Sequence, residues 1–256
     1  MVVGAPRAGG TRGYHRAVRL LCIHHEPTSD GGSLLAPARA GGWAIEHWHA
    51  HSGEPRPVLD GVDAVVAYGG TMNPDDDARL AWLADVRTTL AEAVERDTAV
   101  LGICLGAQLL GQALGVGAPR LAQPELGWFQ VELTAEGADD ALLGPLAPAC
   151  EVFQWHDYGC ELPAGAVQLA RSQRAPQQAY RIGDAVWAIQ FHIEVDADSV
   201  ERWTGAVPEL VRARGAVPAE LVARARAYEP EYLATAHALM GRFLTIARSR
   251  ASRPVG

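Results

Sequence analysis

Read for apolar and polar positions, the first half of the chain alternates short apolar runs with amphipathic stretches. Runs over residues 17–24, 44–49, 62–68 and 98–103 have the length and composition of buried strands. The spacing between and after them predicts helices over 34–40, 78–96 and 105–114. Asp75, Asp76 and Asp77 stand where a helix N-terminus favours negative charge, and Gly69 and Gly70 stop the third strand. Strands that alternate with helices predict a parallel sheet covered on both faces. The pattern changes after Gly115. Runs over 128–133, 151–154, 167–170, 177–182 and 185–191 follow one another without long helices between them. From residue 196 to 250 the spacing is helical, with breaks expected at Pro208, Pro218 and Pro230. The expected fold class is therefore α/β: an open, doubly wound, mostly parallel sheet flanked by helices, with a smaller antiparallel extension and a helical C-terminus. Residues 1–16 read as a flexible lead-in and 17–256 as one domain.

Composition leaves this picture in place and charge narrows the partners. Of 256 residues, 48% are apolar and 20% charged, the balance of an ordinary globular chain. The net charge of −8 argues against a nucleic-acid backbone as partner. No run of about 18 apolar residues suggests a membrane span, and the Gly-, Ala- and Arg-rich start lacks the apolar middle of a secretory signal. Cys22, Cys104, Cys150 and Cys160 are widely spaced and form no CxxC pair. A cytoplasmic chain with reduced thiols is the reading this supports.

One of those cysteines stands in a distinctive place. Gly102-Ile103-Cys104-Leu105-Gly106 falls where a predicted strand meets a predicted helix, the strand–nucleophile–helix turn with cysteine at its apex. A sharp turn of this kind strains the backbone of its central residue, and glycines on either side remove side chains that would collide. The helix then points its positive end at the sulfur, which favours thiolate, and its free amides can hold an oxyanion. A second stretch, Gln190-Phe191-His192-Ile193-Glu194, ends another apolar run. Residues two apart on a strand share a face, so Glu194 can orient His192, and His192 can take a proton from a thiol.

With both stretches in view, the sequence resembles the class I, triad-type glutamine amidotransferases. It is most similar to stand-alone members akin to the glutaminase part of GMP synthase. Cys104 continues as Leu105-Gly106-Ala107-Gln108-Leu109-Leu110, and the His192 stretch matches the family's second motif. His25-Glu26-Pro27, Gly69-Gly70-Thr71-Met72, Glu125-Leu126-Gly127-Trp128, Trp155-His156-Asp157 and Gln177-Gln178-Ala179-Tyr180 fall in the expected order. The resemblance spans roughly residues 17–250 and implies a flavodoxin-like sheet. It implies that Cys104 attacks the glutamine amide carbon to form a γ-glutamyl thioester, with His192 as base and Glu194 as its orienter. It further implies an oxyanion hole from the backbone amides of Gly70 and Leu105. Gln108, Gly69 and the main chain near Asp157 and Tyr158 would contact the substrate. No cofactor and no metal is implied. No synthetase domain follows in the sequence, so ammonia would pass to an acceptor enzyme on another chain. The alternative is a γ-glutamyl hydrolase acting on a peptide, amine or conjugate through the same thioester.

Other features read more plainly. His47, His49 and His51 alternate beside the second predicted strand and could face a metal; a polar strand end is the simpler reading, since the triad chemistry needs none. Trp128, Trp155, Trp187 and Trp203 are expected mainly in the core. Arg212, Arg214, Arg224 and Arg226 are expected on a charged helix face.

Overall fold

A computed structural model of the chain describes residues 16–29 and 31–252. The expected lead-in therefore lies outside the described residues except for Arg16, which donates to the Gly61 carbonyl at 2.6 Å. The parallel half of the sheet is built from β1 (Arg19–His24), β2 (Ala44–His49), β3 (Ala64–Ala67), β4 (Ala99–Ile103) and β9 (Val186–Ile189). The other half comprises β5 (Arg120–Leu133), β6 (Ala149–Tyr158), β7 (Val167–Arg171) and β8 (Ala179–Ile182). All nine strands form one sheet in the order β2-β1-β3-β4-β9-β8-β7-β5-β6. From β2 to β9 each pairing is parallel, and from β9 to β6 each is antiparallel.

Side-chain alternation explains why the central strands are apolar throughout. Leu20 and Cys22 of β1, Val66 of β3, Leu101 and Ile103 of β4 and Trp187 of β9 pack on one face. Leu21, Ile23, Val65, Val100 and Ala188 pack on the other. The first face is covered by α1 (Ala36–Ala40) and by α7 (Pro218–Ala251), through Met240 and Phe243. The second is covered by Leu83, Val86 and Leu90 of α2 (Trp82–Glu95) and by Leu109 of α3 (Leu105–Ala113). The single-turn α4 (Ala135–Ala138) follows β5, and α5 (Ala197–Ala206) and α6 (Pro208–Ala213) follow β9 in the chain. No described helix is long and apolar enough to cross a membrane.

Several boundaries differ from expectation; β5 begins at Arg120 rather than at residue 128, and three others have a plain physical reason. The helix expected from residue 78 starts at Trp82, because the run of aspartates closes a short turn over Asp76–Ala78 first. β6 extends to Tyr158 because it pairs with β5 along that whole edge. Pro230 does not end α7. A proline removes one ladder bond and crowds the preceding turn, but Ala236, Leu239, Met240 and Phe243 bury one stripe of the helix and hold it straight through.

Candidate active site

The parallel strands β1, β3, β4 and β9 end on the same side of the sheet, where such folds place their ligands. Cys104 occupies the turn from β4 into α3 with φ 51° and ψ −110°, a left-handed backbone that costs a non-glycine residue about 1–3 kcal/mol. The Cys104 amide donates to the Ile189 carbonyl at 2.8 Å, and the Gly106 amide to Tyr68 at 3.1 Å. These bonds clamp the turn between β9 and β3. Both glycines are required by contact. A Cβ on Gly106 would stand 2.1 Å from the Ala67 carbonyl oxygen, and one on Gly102 2.8 Å from the Gly106 oxygen.

His192 and Glu194 were expected on a strand. β9 ends at Ile189, and both residues lie in the bend that follows, held by a single bridge between His192 and Phe153. The bend still brings their side chains together: His192 Nδ1 is 2.7 Å from Glu194 Oε1, and both are buried. Burial alone would push the His192 ring toward neutrality. The opposing charges of Glu194 and Cys104, with hydrogen bonds to both, raise it well above its ordinary value. The arrangement therefore favours the imidazolium form of His192. Gly69 abuts both, since a Cβ there would meet His192 Cε1 at 2.9 Å and Cys104 Cβ at 3.5 Å. Gly70 faces Leu105, whose amide opens α3 and has no acceptor within the helix.

The other three cysteines are held as thiols by burial. Burial raises Cys22 to about 12 and Cys150 to about 11, and pushes Cys160 higher still. Thiols held in that way are poor nucleophiles.

A cavity of about 340 Å³ opens over Cys104. Gly69, Gly70, Gln108, Asp157, Tyr158, His192 and Glu194 all line it with Cys104; of the residues expected in the site, Leu105 alone stays behind the wall. Gln108 Nε2 donates to the Tyr158 carbonyl at 3.0 Å and to Gln190 Oε1 at 3.2 Å. The Asp157 side chain is committed elsewhere: Arg214 donates to both its oxygens at 2.6 and 2.7 Å and holds the carboxyl below its ordinary value.

Several residues outside the expected set support this centre. Glu125, His156 and Gln178 come from three separate sequence motifs and meet in one buried network. Glu125 accepts from Ser172 at 2.7 Å and Gln178 at 2.7 Å and lies 2.9 Å from His156 Nε2. His156 Nδ1 in turn lies 2.9 Å from the Tyr158 carbonyl, so that carbonyl is pinned from both sides. Tyr232 of α7 donates to the His192 carbonyl and accepts from the Phe153 amide at 3.3 Å, locking the bend. Trp203 of α5 packs edge-on against the His192 ring, 5.2 Å between centroids. Contacts over such sequence distances leave no local signal. Trp155 and Trp203 line the cavity, whereas Trp187 is core. Arg212, Arg214, Arg224 and Arg226 each pair with a carboxylate of this chain. His47 Nδ1 lies 2.9 Å from His24 Nε2, and the His24, His47 and His49 rings stack. Among the described residues no group of three or more such side chains converges on a metal position.

His25 gives the site a pH dependence. Its ring is fully buried behind Gly69 and Gly70, stacks on Trp82 at 5.8 Å, and is pushed down to about 4, first by burial. The unfolded chain binds this proton near the ordinary 6.5, and the folded chain does so only near 4. Stability from this residue is thus complete above pH 6.5 and declines as pH falls toward 4, by about 3 kcal/mol in total. Urea midpoints between pH 7 and 4 are expected to fall less steeply for His25→Gln than for the natural chain; parallel curves would refute this assignment.

Known proteins share both the sequence and the fold. Residues 43–201 match the family model described as glutamine amidotransferase class-I. The glutamine amidotransferase-like protein YfeJ of Salmonella typhimurium is 30% identical over 188 residues, covering 72% of this chain and 79% of that protein. One component of the glutamine-hydrolysing GMP synthase of Sulfurisphaera tokodaii is 37% identical over 144 residues, covering 56% of this chain and 72% of that one. The crystal structure of a glutamine amidotransferase from Thermotoga maritima is 27% identical, covers 90% of this chain and 99% of its own, and superposes with a TM-score of 0.81.

Proposed function

Because the chain belongs to the class-I glutamine amidotransferase family, we propose that Cys104, His192 and Glu194 hydrolyse the side-chain amide of glutamine and supply the ammonia to a separate synthetase. The Cys104 sulfur attacks the γ-carbonyl carbon, and a carbon–sulfur bond forms. The backbone amides of Gly70 and Leu105 receive the oxyanion. His192 hands its proton to the departing nitrogen, the carbon–nitrogen bond breaks, and ammonia leaves a γ-glutamyl thioester. Water then attacks the thioester, giving its proton to His192, and glutamate is released with the thiolate restored. Glu194 keeps the imidazole ring in register throughout. Gln108 and the Tyr158 main chain hold the amino-acid end of the substrate.

The observation that carries this reading is the meeting of Cys104, in a strained turn at the head of α3, with an imidazole bonded to Glu194 at 2.7 Å. That a relative is named as one component of a glutamine-hydrolysing GMP synthase supports a partner on another chain. A glutamine-like electrophile is expected to label Cys104 and no other cysteine, and His192→Ala to slow labelling at least about 100-fold. Labelling spread over the other cysteines, or indifferent to His192, would overturn the reading. A second reading, hydrolysis of a γ-glutamyl conjugate, keeps every step and changes only what leaves. The apolar side chains of Trp203, Val207 and Leu210 in the cavity lining favour it.

A further inference from the structure

Glutamine releases only ammonia, which needs no apolar surface. The cavity nonetheless has an apolar wall. Trp203 of α5, Val207 at the junction between α5 and α6, and Leu210 of α6 all line the same cavity as Cys104. Val207 and Leu210 are 41% and 44% exposed, so their apolar surface is open to whatever enters the cavity. The wall is fixed in place. Arg214, which caps α6, is tied by two bonds to Asp157 of β6, and Trp203 packs against Trp155 with centroids 6.5 Å apart.

The position of this stripe decides its role. The group that protonates the leaving nitrogen must touch it, and that group is His192. Trp203 rests against the His192 ring, so the stripe begins where the leaving nitrogen departs. A volume of about 340 Å³ also falls within the roughly 300–1,000 Å³ of pockets that enclose drug-sized ligands.

We propose that Trp203, Val207 and Leu210 form a leaving-group subsite, and that the preferred substrates are γ-glutamyl amides of apolar amines. The proposal rests on the second reading above, hydrolysis of a γ-glutamyl conjugate through the Cys104 thioester. Cys104 attacks the γ-carbonyl and its carbon–sulfur bond forms. The bond from that carbon to the substituted nitrogen breaks, His192 protonates the nitrogen, and the neutral amine leaves along the stripe. Water completes the cycle, releasing glutamate and returning a proton to His192.

Two substrates of matched chemistry test it: γ-glutamyl-isobutylamide and γ-glutamyl-methylamide, whose amines differ little in basicity, with glutamine alongside. The purified chain is expected to show a kcat/KM for the isobutylamide at least about 10-fold above that for the methylamide, the usual effect of added methylenes in an apolar pocket. Leu210→Asp and, separately, Val207→Ser are expected to bring that ratio near one. Because both positions are surface-exposed, the variants should fold, and a melting curve for each verifies it. A ratio near one in the natural chain, or a ratio untouched by either substitution, overturns the subsite; the stripe would then be a surface for a partner protein. If glutamine acylates Cys104 while the ratio is near one, the thioester reading stands and only the subsite falls. If neither glutamine nor either amide acylates Cys104, both fall together.

Discussion

Cys104→Ser is expected to lower turnover of any γ-glutamyl substrate by roughly 10⁴- to 10⁶-fold, the loss seen when the nucleophile of a catalytic triad is removed. The exchange is nearly isosteric and leaves the φ of 51° at the turn and the bond to Ile189 unaffected. What changes is the acid. Cysteine thiols as a class ionise near about 8.5 and can yield a proton to a histidine. A serine hydroxyl is far weaker and cannot do so as a standing ion pair. His192 loses the negative partner that helps to raise it, and Glu194 alone remains to oppose burial. The variant should therefore show His192 titrating lower than in the natural chain, which ring-proton resonances report, while its melting temperature stays close to that of the parent. Glutamate release above about 1% of the natural rate would sink the assignment of Cys104 as nucleophile.

The second large effect is on folding. Gly106→Ala adds one methyl group at a point 2.1 Å from the Ala67 oxygen and 2.6 Å from its carbonyl carbon. Both atoms belong to β3, which is paired on both sides within the sheet. Neither α3 nor β3 can withdraw without breaking the bond from the Gly106 amide to Tyr68. A loss of more than about 4 kcal/mol is expected, a large part of the roughly 5–15 kcal/mol that holds a typical domain. Thermal melts should drop by about 10 °C or more. Gly241→Ala is the control. Gly241 lies inside α7 with nothing within 4 Å of the added methyl. Alanine there should raise stability by about 0.5–1 kcal/mol through helix propensity. Similar melting temperatures for the two variants would show that the contact at Gly106 relaxes more easily than its backbone surroundings allow.

Both predictions concern a pentapeptide legible in the chain, and the reasons for its legibility are local. Gly102 and Gly106 are needed because a tight turn brings backbone against backbone, and Cys104 is at its apex because that is where a side chain projects beyond the sheet. The strands of the parallel half were legible because burial on both faces makes each a continuous apolar run. The pairing of His192 with Glu194 was legible as a spacing, although the structure achieves it in a bend, with Tyr232 and Phe153 holding the backbone in place of a strand ladder. Pro230 misled because propensity was outweighed by the buried stripe of α7.

What the chain alone determined, then, was the order of strands and helices, the identity of the turn, and the likeness to its family, all of which depend on residues near one another in sequence. Only the tertiary structure decided the rest. It joined Glu125, His156 and Gln178 into the network behind Tyr158, turned Asp157 toward Arg214, and set Trp203, Val207 and Leu210 along the wall beside His192. The bonds from Glu125 to His156 and Gln178, and from Asp157 to Arg214, span 31, 53 and 57 positions. The apolar wall comes from α5, α6 and the junction between them, which follow β9 in the chain. Such contacts are set by how elements pack, and packing is a property of distances in space that no periodicity along the chain encodes.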